Sequence, residues 1–242
     1  MKSVTSGIAR IVVLSAFVLA ALLPAAALGA QDPQDAQDPF EPVNRRIFTF
    51  NDALDRWFLR PIARGYDAVT PDPVQRRIGN VFENLRTPAV AVNQVLQGKP
   101  RTGLGDFTRF LVNSTVGIGG LFDVAAANGL PSHEEDFGQT FARWAGGQGP
   151  FLTIPVRGPA TTSSAVGMVF DLFTNPMLLI SPNRDRALIG ALDVVDSRAQ
   201  LLSSEKLISG DRYLFIRDAY LQRRAYLIDD GKVQEDPFLD DF

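Results

Sequence analysis

His133 is the only histidine of the 242-residue chain, and it stands in Ser132-His133-Glu134-Glu135-Asp136. A ring that moves protons beside three acidic residues could hold a cation or act as an acid–base pair. Calcium loops, however, space their ligands at alternate positions, which this run does not do, and adjacent acids on a polar loop are ordinarily solvated. A single histidine and no cysteine exclude multi-histidine zinc sites, thiolate ligands, disulfides and cysteine nucleophiles. No serine sits in a G-x-S-x-G elbow, so a lipid hydrolase would lack its nucleophile and base. Gly103-Leu104-Gly105 is a fragment of a dinucleotide fingerprint with Thr108 where the last glycine belongs, and it reads as a loop at a helix start. Gly117-Ile118-Gly119-Gly120 frees the backbone after a helix, and no lysine follows to make a phosphate loop. The chain is read as a non-enzyme with no metal and no cofactor.

Binding chemistry is more promising. Asn44, Asn51 and Asp55 fall at i, i+7 and i+11, with Phe48 among them, and Asp106, Arg109 and Asn113 repeat the pattern further on. Each set forms a polar stripe beside an apolar one. Such stripes are either plain solvated faces or the wall of a wet passage bordered by hydrocarbon. A phospholipid needs both surfaces, since amides and guanidinium donate to phosphate while apolar side chains meet the tails. Asn44, Asn51, Arg109 and Asn113 are the polar candidates, with Phe48, Phe50, Phe107 and Phe110 as tail or core contacts.

Helices must position these groups. Asp38-Pro39-Phe40-Glu41 and Asp72-Pro73-Val74-Gln75 have the form of capped helix starts, and Thr87-Pro88 and Ser181-Pro182 share their first two parts. Val43, Ile47, Phe50, Leu54 and Trp57 recur at helical spacing. Further stripes run through Leu104, Phe107 and Leu111, then Leu188, Leu192, Val195, Ala199 and Leu202, then Tyr213, Ile216, Tyr220 and Leu227. These patterns predict an all-α fold. Phe151 to Val156 is the best strand candidate, which Pro155 demotes to an edge or an extended loop.

Two segments bear on membranes. Residues 1–30 have a basic start, an apolar stretch from Ile11 to Leu23, a break at Pro24 and small residues to Ala30, the layout of a removable secretory signal. Ala165 to Ile180 is apolar except for Asp171, and Asn175-Pro176 should turn it. It is too short to span a bilayer, and reads either as a buried core helix or as a hairpin lying in one leaflet. The remaining divisions are a flexible tether at 31–37, a helical domain at 38–228 and an acidic tail at 229–242. A formal net charge of −3 gives no sign of a nucleic-acid partner.

The ordered blocks Asp38-Pro39-Phe40-Glu41-Pro42-Val43-Asn44-Arg45, Phe48-Thr49-Phe50-Asn51, Arg60-Pro61-Ile62-Ala63 and Asn80-Val81-Phe82-Glu83-Asn84-Leu85 continue into Phe107-Thr108-Arg109-Phe110-Leu111-Val112-Asn113. After them come Gly119-Gly120-Leu121-Phe122-Asp123, Asp136-Phe137-Gly138-Gln139-Thr140, Ser197-Arg198-Ala199-Gln200-Leu201-Leu202 and Tyr220-Leu221-Gln222-Arg223-Arg224. Together they resemble the MlaA (VacJ) outer-membrane family over nearly the whole chain after residue 37. The resemblance implies a ring-like helical protein lodged in the inner leaflet of the outer membrane around a central amphipathic channel. It implies exported phospholipid transport that removes mislocalised outer-leaflet lipid, passes it to a periplasmic lipid carrier and works beside a trimeric porin. It also favours lipid contact for the apolar hairpin, through Val169, Phe170, Leu172, Phe173, Pro176 and Met177. The alternative is a structural envelope or porin adaptor that moves no lipid. The chain departs from the family at Gln31, which stands after Leu28-Gly29-Ala30 where members carry a lipidated cysteine. Glutamine has no thiol to acylate, so lipidation is not expected here.

Overall fold

The computed structural model describes residues 38–232. The signal segment, the tether with Gln31 and most of the acidic tail lie outside the described residues. Helix α1 (Glu41–Leu54) opens on Pro42 and a Glu41–Arg45 pair at 2.6 Å. It continues through one π-helical turn (Asp55–Leu59) into α2 (Arg60–Val69). The 25-residue α3 (Asp72–Leu96) and α4 (Pro100–Thr115) pack as a pair joined by a short loop. The turn of α5 (Val124–Ala127) is capped by Asp123, and α6 (Phe137–Ala145) by Asp136, which accepts from Gln139 N at 2.7 Å. Strands β1 (Phe151–Ile154) and β2 (Gly158–Thr161) form an antiparallel hairpin with Phe151 opposite Thr161. Then follow α7 (Thr162–Thr174), a 3-10 turn (Pro176–Leu179), α8 (Asn183–Gln200), a second 3-10 turn (Ser204–Leu207) and α9 (Arg212–Ile228).

The all-helical expectation holds apart from one short hairpin, which uses the segment singled out as a strand candidate; Pro155 lies in its turn, where no ladder hydrogen bond is asked of it. None of the four expected side-chain caps forms: α3 begins at Asp72 itself after Pro71, and α8 follows Pro182, neither with a side-chain cap. Asp38 does not cap α1 but is buried beneath it, accepting from Asn44 Nδ2 at 2.7 Å and from the Tyr213 hydroxyl. Thr87-Pro88 starts nothing, because Pro88 lies inside α3. The residue pair that favours a first turn is also tolerated within a long helix whose packing outweighs one missing backbone bond. Gly103 likewise belongs to α4 rather than to a loop. A Cβ there would come 2.8 Å from Ala91 O, so the glycine lets α4 cross closely over α3.

One compact apolar core lies between α1, β1 and α9. Phe151, Tyr213 and Leu221 form it with Phe48, Leu214 and Tyr220, and Phe48 meets Tyr213 edge-on at 5.5 Å. Elsewhere Phe82, Val90 and Phe137 are also buried, but many positions run the other way. Asn84, Asn93, Gln94, Asp106, Arg109, Asn113 and Asp196 are buried, while Phe50, Trp57, Ile62, Leu104, Phe107, Leu111 and Leu188 are exposed. In water an ordered exposed stripe of this size marks a surface meant for an apolar neighbour. Among the described residues no helix is long and apolar enough to cross a membrane.

The Ala165–Ile180 segment turns where its sequence indicates. Helix α7 ends at Thr174, and the Asn175 side chain accepts from Met177 N at 2.9 Å. Phe170 packs on Phe137 and Phe141 at 5.7 and 5.1 Å, and Val169, Pro176 and Met177 are half-buried, whereas Leu172, Phe173 and Leu179 point away from the protein. Asp171, the only charge, accepts from Phe137 N at 3.2 Å, and burial pushes its carboxyl up to about 6.

A candidate polar passage

Helices α3, α4, α6, α8 and α9 and the loop before α6 enclose a cavity of about 1310 Å³. Its longest wall is one face of α3. Asp72, Arg76, Gly79, Glu83, Arg86 and Val90 recur every three or four residues, so a single stripe follows the cavity for several turns. Helix α8 faces it with Asp193 and Asp196, and α9 with Tyr220, Arg223 and Arg224.

The loop from Ser132 to Asp136 is the other main wall; Glu134 stays solvated, whereas Glu135 is buried and Asp136 half-buried, which corrects the reading of the whole acidic run as solvated. Each member is engaged. Ser132 Oγ donates to Glu83 at 2.7 Å, and His133 Nδ1 lies 3.0 Å from Asp106. Glu134 pairs with Arg223 at 2.5 Å, Glu135 with Lys99 at 2.6 Å, and Asp136 takes both terminal nitrogens of Arg224 at 2.5 and 3.0 Å. Burial alone would make the Arg224 guanidinium easier to deprotonate, but the Asp136 carboxylate more than reverses this and holds it charged. Asp196 accepts from the Tyr66 hydroxyl at 2.7 Å and from Gln200 at 2.8 Å, and burial together with this carboxylate pushes the Tyr66 hydroxyl upward. Arg86 meets Asp193 at 2.5 Å, and the Arg77 guanidinium stacks 4.0 Å from the Phe122 ring centroid. The lining is therefore polar, charged and mixed in sign, enough to accept a headgroup that carries phosphate.

The residues singled out from sequence fall elsewhere. Asn44 ties α1 to β1, donating to Phe151 O at 3.2 Å and accepting from Thr153 N at 2.8 Å. One stretch of helix further on, Asn51 does the same with Ile154 O at 2.9 Å and Val156 N at 2.7 Å. Arg109 donates to Leu130 O and to Asp123 at 3.0 Å, and Asn113 donates to Asp123 at 3.0 Å and accepts from Ala125 N at 2.9 Å. Phe48 is in the apolar core, Phe110 is half-buried against Phe107 at 6.3 Å, and Phe50 and Phe107 face outward. None of these eight lines the large cavity. Arg109 and Asn113 border only a cleft of about 10 Å³, too small for a headgroup. Periodicity finds a polar face, but a polar face can be spent on the protein's own backbone. The α3 stripe follows the same spacing rule, since Asp72, Arg76, Glu83 and Arg86 recur at helical intervals.

Comparison with known proteins agrees with this architecture. A family model described as MlaA lipoprotein matches residues 36–227. The chain is 36% identical over 226 residues to the intermembrane phospholipid transport system lipoprotein MlaA of Escherichia coli, covering 89% of each chain. The protein of the same name from Haemophilus influenzae is 28% identical over 231 residues, covering 90% of this chain and 92% of that one. A solved structure described as the structural basis for maintenance of bacterial outer membrane lipid asymmetry superposes with a TM-score of 0.69 at 34% identity, covering 79% of this chain and 98% of its own. The chain belongs to the MlaA lipoprotein family.

Proposed function

We propose that this protein transports phospholipid at the outer membrane and thereby maintains its lipid asymmetry, drawing mislocalised outer-leaflet lipid through the passage. The observation that carries the reading is the reversed burial of α4 beside a polar cavity. On α4, Leu104 and Leu111 are exposed while Asp106 is buried, and Glu83 and Arg86 of α3 line the cavity beside it. An apolar rim in one leaflet excludes the lipid around it, and a polar interior lowers the cost of moving a charged headgroup out of water. The named relatives act in phospholipid transport, and nothing in the passage requires a covalent step.

The finer reading is that the protein sits at the periplasmic face of the outer membrane, beside a trimeric porin, and passes lipid to a soluble periplasmic carrier. The exposed apolar ends of α7 and of the 3-10 turn, Phe173 and Leu179, would enter the lipid, with Val169, Phe170, Leu172, Pro176 and Met177 around them. The eight sequence-derived candidates would then act indirectly, by holding the collar in shape or facing lipid outside it. Deleting the gene should raise phospholipid exposure on the cell surface, and the intact gene should restore it. Unchanged surface lipid with normal expression in the complemented control would refute the reading.

A further inference from the structure

One end of the cavity holds buried polar atoms of both kinds without partners. Gln139 is 2% exposed, and its Nε2 donates to Glu134 O at 3.0 Å, which fixes the amide orientation and leaves Oε1 with no donor. Arg224 lines the same end; its terminal nitrogens are held by Asp136, while its buried Nε has no acceptor. The two groups are neighbours, because Asp136 Oδ1 accepts from Gln139 N at 2.7 Å and from Arg224 at 3.0 Å. Asp106, 1% exposed, lines the cavity too, and among the described residues no lysine or arginine pairs with it; His133 Nδ1 at 3.0 Å and Gln94 Nε2 at 3.5 Å are its partners. Buried donors and acceptors left unmade are costly in a finished fold, so their presence in a cavity wall points to a ligand that completes them.

We propose that this end of the passage recognises a phosphoethanolamine headgroup, its ammonium at Gln139 Oε1 and Asp106 and its phosphate at Arg224, with Arg223 nearby. The proposal rests on the phospholipid reading above and adds selectivity to it. A primary ammonium supplies both the missing N–H donors and a charge opposite to Asp106. Choline has the charge but no N–H. A glycerol headgroup has hydroxyl donors, but it leaves a net anion facing the carboxylates.

The test offers the purified full chain an equimolar mixture of phosphatidylethanolamine, phosphatidylcholine and phosphatidylglycerol with matched acyl chains. Native mass spectrometry then counts the headgroups retained. Ethanolamine lipid should exceed each competitor by roughly five-fold, the size of one buried hydrogen bond. Gln139→Met should lower the ethanolamine-to-choline ratio by about two-fold or more, leaving what Asp106 contributes, and Gln139→Glu, which restores an acceptor, should recover it. This ratio is read within one sample and does not depend on how much protein is folded. Equal retention of the three lipids would overturn the headgroup assignment while leaving lipid binding intact, whereas no retained lipid would overturn the transport reading as well. Millimolar free ethanolamine should leave the ratio unchanged; if it abolished the preference, the site would belong to a soluble amine and the lipid assignment would fall.

Discussion

The core around Phe151 and the helix α4 are built on opposite plans. In the first, Phe151, Tyr213 and Leu221 are buried among Phe48 and Tyr220, as water demands. In the second, Leu104, Phe107 and Leu111 face outward while Asp106, Arg109 and Asn113 are enclosed. Both regions contain amphipathic helices of similar composition. On the proposed reading the difference lies in which solvent their apolar faces meet, the protein's own core in one case and a surrounding apolar phase in the other. The joint between the plans is polar. Asn44 and Asn51 clip α1 to the hairpin, and Asp38 joins Asn44, Tyr213 and Arg217 beneath it.

The comparison can be broken hardest at the conventional core. Phe151→Ala should cost about 3–5 kcal/mol in denaturant unfolding, because the ring is 2% exposed and wedged between two tyrosines. Leu104→Arg sharpens the contrast. If α4 faced water, the change at this 67%-exposed position would be nearly silent, within about 0.5 kcal/mol. Against hydrocarbon it should cost about 2.5–3.5 kcal/mol, seen as lost membrane retention with an unchanged helical spectrum. Gly103→Ala should force α4 from α3 and cost about 1–3 kcal/mol in the same unfolding measurement.

The smallest effect concerns pH. Burial alone would raise the Asp123 carboxyl, but Ala126 N, Asn113 and Arg109 outweigh it and hold it below the ordinary range. A depressed carboxyl stabilises the fold above the unfolded value, about pH 4, and that contribution is lost as pH falls through the folded value. Because the side chain is partly open to solvent, Asp123→Asn should cost only about 0.5–1 kcal/mol at neutral pH and should make acid unfolding shallower below pH 4. Melting curves of the two proteins from pH 3 to 7 check the sign.

Much of the fold was legible in local chemistry. The stripes of α1, α4, α8 and α9, the break at Asn175-Pro176 and the strand at Phe151 all follow from spacing and from proline. What periodicity could not reveal was direction. Leu104, Phe107 and Leu111 share a face whether that face is inside or outside, and only the assembled neighbours decide. The polar candidates failed as cavity wall for a related reason. Asn44, Asn51, Arg109 and Asn113 are spent on partners 6 to 109 positions away, off the helix that carries the pattern. The partners of the Ser132–Asp136 run, Glu83, Lys99, Asp106, Arg223 and Arg224, likewise lie far off in sequence.

The chain contains no cysteine, so a single one can carry a nitroxide at a chosen place without background. Leu104→Cys labels the outer face of the collar and Glu83→Cys its inner wall. In reconstituted membranes, the label at 104 should collide freely with oxygen, which concentrates in hydrocarbon, and poorly with a water-soluble nickel chelate. The label at 83 should show the reverse. Nickel access at 104 equal to that at 83 would contradict an apolar rim around a wet interior.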